Sequence, residues 1–316
     1  MTPPDVSLAD IRAAQRRIAG SVLRTPVLES PMLDEATGAR LYFKCESLQP
    51  VGAFKLRGAS NAIEARTSEQ LRAGVVTHSS GNHGAAVARA ARLRGVRARI
   101  VMPENSSRAK LEAVRSYGGE VVLCAPTLAA RETLAAQLVA DSGAAFIHPY
   151  DDARVIAGQG TIALELLEEI ADLDWLLLPV GGGGLASGVA VAAKAMRPGI
   201  RLIGVEPSGA DDAQRSLASG VLAPPPQAAT IADGLRGALS ARTFELIRRH
   251  VDAIITVDDE AIVQAMRTLW QHLKIIVEAS SAVPYAALYQ QRLDVRNARV
   301  GIILTGGNVD LDKLPW

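Results

Sequence analysis

The sequence predicts an α/β protein built from two units, each a mostly parallel open sheet flanked by helices. Three observations predict it. Short apolar runs of strand length alternate with helical patterns across short connections from residue 74 to residue 148, and such alternation closes a parallel sheet with helices on both faces. The same rhythm resumes after residue 158. The length of 316 residues, with 48% hydrophobic and 21% charged side chains, suits one large or two medium domains of a compact protein and not a disordered chain.

Taken in order, residues 7–17 start with an N-cap serine, carry Asp10 three residues on and set Leu8, Ile11, Ala14 and Ile18 at helical spacing, so a first helix is expected. Residues 25–28 are extended and 41–46 form a short strand. A helix is expected over 57–66, then strands at 74–78, 97–102, 120–124 and 145–148 alternating with helices at 85–94, 107–117 and 128–142. Residues 49–147 read as one α/β unit. In the second unit, helices are expected at 158–170, 186–196, 241–250, 259–273 and 280–291, with strands at 175–180, 202–205, 253–257 and 299–304. Pro224, Pro225 and Pro226 mark an exposed loop, and no internal repeat is visible.

Bulk composition narrows the partners. A formal net charge of +1 gives no field to gather polyanions, so neither nucleic acid nor a membrane surface is expected. Cys45 and Cys124 lie in apolar strand-like runs and read as buried reduced thiols. The N-terminus lacks the basic and apolar regions of a signal peptide, and the apolar window 175–196 is broken by Pro179, a run of four glycines and Lys194. A cytoplasmic location is the expectation.

Four stretches could carry chemistry. In Val51-Gly52-Ala53-Phe54-Lys55-Leu56-Arg57-Gly58 a lysine stands between two apolar side chains; partial desolvation there would lower its pKa and free its amine as a nucleophile or Schiff-base former. Alone, the motif reads as a helix start whose lysine reaches water. Gly181, Gly182, Gly183 and Gly184 lie between a buried strand and a helix, where backbone amides and the helix's positive end suit a phosphate. The run has neither the G-x-G-x-x-G spacing nor a following Gly-Lys-Ser/Thr, which points to a small phosphorylated cofactor and not a nucleotide. Ser79-Ser80-Gly81-Asn82-His83-Gly84 joins a strand to a helix and suits a carboxylate, or is a decorated N-cap. Glu206, Ala210 and Asp212 stand in an irregular loop, as a hard divalent cation or simple solvation would require.

Together with Thr305-Gly306-Gly307-Asn308 these stretches indicate pyridoxal phosphate (PLP) chemistry on amino acids. The chain resembles the fold-type II (tryptophan synthase β-like) PLP enzymes, within them the serine/threonine dehydratase and serine racemase group. The resemblance rests on residues 43–46, 52–59, 79–84, 157–161, 181–184, 230–234 and 305–308, in that order. It implies a large domain of residues 1–48 and 148–316, a small domain of 49–147, and the cofactor in the cleft between them. It implies that Lys55 binds the cofactor covalently beside Phe54, that Asn82 meets the ring hydroxyl, and that Gly181, Gly182, Gly183, Gly184 and Leu185 hold the phosphate. Thr305 would face the pyridine nitrogen, and Glu278 would approach from the far side. Ser79, Ser80, Gly81, Asn82 and His83 would receive the substrate carboxylate, with Ser80 able to return a proton to Cα as racemisation needs. Glu206, Ala210 and Asp212 match the Mg²⁺ or Ca²⁺ pattern of the racemase-like branch, and a homodimer is expected.

The implied reaction is β-elimination of a β-hydroxy-α-amino acid such as L-threonine or L-serine to a 2-oxo acid and ammonia. Serine racemase, phenylserine dehydratase and 3-hydroxyaspartate dehydratase are the alternatives. A PLP- or amino-acid-binding regulator is disfavoured because Lys55 and the glycine run are intact. The chain departs from the racemase pattern at Tyr150, where asparagine is usual, and at Pro50 and Val51, which argues against ATP control. Gly237 leaves one wall of the substrate pocket small, and Arg131 could meet a second carboxylate or be a solvated helix arginine. Only eight residues follow Asn308, so no regulatory domain is expected.

Overall fold

The computed structural model describes residues 6–79, 81–225 and 227–316. Two sheets organise the chain. The first contains β1 (Val27–Leu28), β2 (Arg40–Cys45), β7 (Trp175–Pro179), β8 (Arg201–Pro207), β9 (Ala253–Val257) and β10 (Arg299–Leu304), in the order β1-β2-β10-β7-β8-β9. The second contains β3 (Val75–His78), β4 (Ala98–Pro103), β5 (Glu120–Cys124) and β6 (Ala145–Phe146), in the order β5-β4-β3-β6. Pairing is parallel throughout except for β1 against β2.

The helices in chain order are α1 (Leu8–Ile18), α2 (Pro31–Thr37), α3 (Lys55–Glu64), α4 (Ser68–Leu71), α5 (Asn82–Leu93), α6 (Arg108–Ser116) and α7 (Leu128–Ser142), followed by α8 (Ala153–Glu169), α9 (Gly184–Met196), α10 (Asp212–Ser219), α11 (Ala241–His250), α12 (Asp259–Leu273) and α13 (Ala279–Tyr289). The first begins as its sequence dictates: Ser7 and Asp10 exchange side-chain and backbone bonds in a capping box. Among the described residues no helix is long and apolar enough to cross a membrane.

Covering both faces of a parallel sheet requires strands apolar on both sides. Leu176 and Leu178 of β7 face one core with α1, α8 and α9, while Leu177 faces the other with α12 and α13. In the second sheet, Ile100 and Met102 pack with α3 and α5, and Val101 packs toward α7. Between α8 and α9 the backbones nearly touch. A Cβ at Gly188 would lie 2.1 Å from the Ile156 carbonyl oxygen, so only glycine lets the two helices meet there.

Several elements differ from expectation. Helix α8 starts at Ala153, five residues before 158, because Asp152 accepts from the Arg154 amide at 2.7 Å and caps it. Helix α3 starts at Lys55, and β6 stops at Phe146. Residues 31–37, 68–71 and 212–219 are helical where no helix was expected. Each buries too few apolar side chains to show a periodic stripe: Leu33 alone in α2, Leu71 alone in α4, and Asp212, Ala213 and Ser216 in α10. The irregular loop expected around Glu206, Ala210 and Asp212 is therefore shorter, with Glu206 inside β8 and Asp212 opening α10.

One local pairing sets the position of α3. Beyond the end of β10, Gly306 bridges Ala53 in antiparallel fashion. The Phe54 amide donates to the Thr305 carbonyl at 2.9 Å, and the Gly307 amide to the Gly52 carbonyl at 2.9 Å.

Candidate active site

Lys55 is the first residue of α3, and its Nζ donates to the Pro149 carbonyl at 2.9 Å, 5.2 Å from the Phe54 ring centroid. Loss of water around the amine lowers its pKa from 10.5 to about 8. Such an amine has a substantial neutral, nucleophilic fraction near neutral pH. The Pro149 carbonyl is held by its surroundings: His148 Nδ1 accepts from the Tyr150 and Asp151 amides at 3.2 and 2.8 Å, and Arg242 of α11 donates to Asp151 Oδ1 at 2.8 Å.

The glycine run lies beside this segment. Gly183 caps α9 with φ +82°, the left-handed region. The first bond from within the helix runs from the Ser187 amide to the Gly183 carbonyl at 2.8 Å. The amides of Gly184, Leu185 and Ala186 therefore fall in the first turn, where a helix has no partner for them. Tyr150 packs directly on the run, since a Cβ at Gly182 would lie 2.4 Å from its ring and one at Gly184 2.8 Å from its Cβ. Gly237 stands near the same ring, its added Cβ 3.7 Å from Tyr150 Cε1 and from the Gly182 nitrogen. Tyr150, Gly182 and Gly237 thus form one wall.

Across from it, α5 begins at Asn82. Its Nδ2 donates to Glu278 Oε1 at 2.8 Å, and its Oδ1 accepts from Asn308 Nδ2 at 2.9 Å. Among the described residues, one amide hydrogen of Asn82 has no acceptor and is open to a ligand. Ser79 Oγ accepts from the Gly81 amide at 3.1 Å. His83 is buried, with Nε2 at 3.2 Å from the Ile147 carbonyl and Nδ1 without a partner among the described residues. Ser80 lies outside the described residues. Thr305 is buried at the end of β10, next to the bridge that holds Ala53 and Phe54.

Glu278 caps nothing with its side chain and is buried, and burial, followed by the charge of Asp233, pushes its carboxyl from 4.5 up to about 8. A group that binds its proton more tightly in the folded chain stabilises it fully below 4.5, and that contribution is lost as pH rises through about 8. Thermal melts of the cofactor-free protein should therefore fall more steeply from pH 5 to pH 8.5 than those of Glu278→Gln. The variant should gain on the order of several °C on the parent at pH 8.5 and little at pH 5; parallel curves would contradict the assignment.

Arg131 of α7 has a buried Nε with no hydrogen-bond partner among the described residues. Burial, followed by His148 and then Arg131, lowers the His78 pKa to about 4. His78 is 6.1 Å from His148 by ring centroid, and His148 is 4.7 Å from Tyr150. Away from the lysine, Glu206 Oε2 accepts from the Gln214 amide at 2.8 Å and Asp212 Oδ2 from the Leu239 amide at 3.1 Å. Burial raises both carboxyl pKa values, that of Glu206 to about 8. Ala210 is buried between them in the chain.

Lys55, the glycine run, Asn82, Glu278 and Tyr150 were all singled out from sequence. The Asn308–Asn82–Glu278 chain, the His78–His148 pair and the Arg242–Asp151 clamp were not. Of the residues these contacts add to the site, Asn308 carries a local signal, as the last residue of Thr-Gly-Gly-Asn.

Comparison with known proteins gives a consistent assignment. Residues 18–306 match the family model described as pyridoxal-phosphate dependent enzyme. The chain is 46% identical over 307 residues to a beta-hydroxyaspartate dehydratase of Paracoccus denitrificans, covering 97% of this chain and 98% of that protein. It is 48% identical over 309 residues to a serine racemase of Oryza sativa, covering 96% and 91%. The solved structure of maize serine racemase superposes with a TM-score of 0.95 at 46% identity, covering 98% of this chain and 95% of that one.

Proposed function

We propose, starting from the fact that the chain belongs to the family of pyridoxal-phosphate dependent enzymes, that it is an ammonia-lyase acting on a β-hydroxy-α-amino acid. The observation that carries this reading is the desolvated Lys55 amine held at the Pro149 carbonyl. The residues fit the cofactor on two counts. A first turn of α9 whose amides have no helical partner suits a phosphate, and an amine with a pKa near 8 suits attachment to an aldehyde. When bound, pyridoxal phosphate supplies that aldehyde and an electron sink beside Cα. A division into a small lobe of residues 49–147 and a large lobe of the remainder goes with this reading, and the two separate sheets support it.

The chain's own residues then take these parts. Gly181, Gly182, Gly183, Gly184 and Leu185 bind the phosphate, with Phe54 and Asn82 orienting the ring. Glu278, a carboxylic acid kept largely protonated near neutral pH, carries no full charge into this pocket. A hydroxyl at Thr305 does not force a proton onto a ring nitrogen as a carboxylate would. Ser79, Gly81 and His83 would orient the substrate carboxylate, and the Lys55 amine would take the Cα proton as the β-hydroxyl departs. Glu206, the Ala210 carbonyl and Asp212 would hold Mg²⁺ or Ca²⁺; two buried carboxylates, the charge of Asp212 adding to burial at Glu206, offer hard oxygen donors that fit such an ion.

In a narrower reading the substrate carries a second carboxylate, as in 3-hydroxyaspartate, and Arg131, whose Nε is buried without a hydrogen-bond partner among the described residues, is its candidate counter-charge. The beta-hydroxyaspartate dehydratase of Paracoccus denitrificans supports the same choice. The test assays the protein with PLP against L-serine, D-serine, L-threonine, phenylserine and threo- and erythro-3-hydroxyaspartate, reading keto acid, ammonia and chirality, with and without EDTA. Keto acid from a hydroxyaspartate isomer, reduced by EDTA and restored by Mg²⁺, is the expected result. Racemisation without ammonia would refute the lyase reading, and indifference to EDTA would remove the metal from it.

A further inference from the structure

Three of the stretches singled out in sequence meet away from the cofactor pocket. Lys44 and Glu46 come from residues 43–46, Arg57 from 52–59 and Thr161 from 157–161. Arg57 Nε and Nη2 each donate to Glu46 at 2.7 Å, while Nη1 and Nη2 donate to Glu165 at 2.7 and 2.8 Å. Nη1 also reaches Thr161 Oγ1 at 3.2 Å. Lys44 Nζ donates to Glu165 at 2.7 Å, and Thr25 Oγ1 to Glu46 at 2.6 Å. Lys44, Glu46 and Arg57 have side chains with 0% exposure. Two cations thus face two carboxylates, and the cluster carries no net charge.

Buried ion pairs are poor stabilisers, because apolar residues of similar volume often serve as well. A guanidinium shared by two carboxylates does, however, fix an orientation that a point charge cannot. Burial opposes the Arg57 charge, but Glu46 and Glu165 more than offset it and hold its pKa above the ordinary value. On α3, Arg57 stands two residues after Lys55, which on a helix turns the two side chains to nearly opposite sides. Glu46 directly follows β2, and Glu165 belongs to α8. The next residue of α3 is tied to α8 as well, its Gly58 amide donating to Gln159 Oε1 at 3.0 Å.

We propose that Arg57 is a positioning residue, whose fork to Glu46 and Glu165 sets the rotation of the first turn of α3 and so holds Lys55 Nζ at the Pro149 carbonyl. The proposal rests on Lys55 being the reacting amine. Two variants test it. Arg57→Lys keeps the charge without the fork, and Arg57→Met combined with Glu46→Gln leaves Lys44 and Glu165 as a balanced pair. In the cofactor-free protein, the pH dependence of Lys55 acylation, read by mass at that residue, gives the pKa of the amine. In the holoenzyme, kcat and KM are measured separately.

Both variants should fold by circular dichroism, and the amine's pKa should climb from about 8 toward 10.5. The kcat should fall about 10- to 100-fold with KM changed less than about threefold, as misplacement of a reacting group predicts. A folded variant that keeps either the parent's amine pKa or a kcat within about twofold overturns the proposal. So does failure of both variants to fold, which would assign the cluster to stability alone. Failure of the underlying reading looks different: the parent, incubated with PLP and reduced with borohydride, would carry no cofactor mass at Lys55.

Discussion

Lys55→Ala is expected to slow ammonia release by about 10,000-fold, the upper range for removing a positioned proton-transfer group, and to abolish the visible absorbance of bound cofactor. The side chain is the first of α3 and, among the described residues, its amine bonds the Pro149 carbonyl, so its loss leaves that carbonyl to be met by water. The fold should survive. With its pKa lowered to about 8, the native chain below that pH carries a cation that would be better hydrated when unfolded. The parent's stability therefore rises as pH goes from about 8 to 10.5. Melts of the cofactor-free proteins should show the alanine variant at least as stable as the parent at pH 7, with the difference shrinking above pH 10. An inactive variant that melts far below the parent would mean that activity was lost through folding, leaving the chemical role of Lys55 without support.

That lysine was legible in sequence only through company. Phe-Lys-Leu alone is an ordinary helix start, and it is one here: Lys55 opens α3. The glycine run was legible because four successive glycines after an apolar strand leave little else for the backbone to do. Expectation fell short where structure depends on contacts distant in sequence. Asn82 and Glu278 are 196 residues apart and Asn82 and Asn308 are 226 apart, and no local spacing announces either pair. The charges of Lys44 and Glu46 interrupt an apolar run that reads simply as a strand, and their partners lie on α3 and α8. Helix α10 was read as loop because its buried face is Asp212, Ala213 and Ser216, which carries no hydrophobic period.

Arg131→Leu should divide the substrates. For a 3-hydroxyaspartate isomer kcat/KM should fall about 100-fold, the effect of removing one partner from a desolvated charge pair, whereas serine should change less than about threefold. The physical basis is an incomplete environment. The Arg131 Nε is buried without a partner among the described residues, and its charge helps keep His78 neutral, with a pKa of about 4. A carboxylate arriving beside this group would supply the missing acceptor. Serine offers no second carboxylate and so has nothing to lose. Steady-state kinetics on both substrates decide the matter: an equal fall for both would make Arg131 a packing residue of α7, and the pocket would then be selective for something other than charge.

The rung between Ala53 and Gly306, with the Phe54–Thr305 and Gly307–Gly52 bonds, has a mechanical consequence. It ties the backbone leading into Lys55 to the end of β10 and hence to the sheet that also feeds the glycine run through β7. Ser79 directly follows β3 of the other sheet. The approach to Lys55 and the strand before the glycine run thus share one sheet, so the spacing between them is set by the register of that sheet and not by the loops alone.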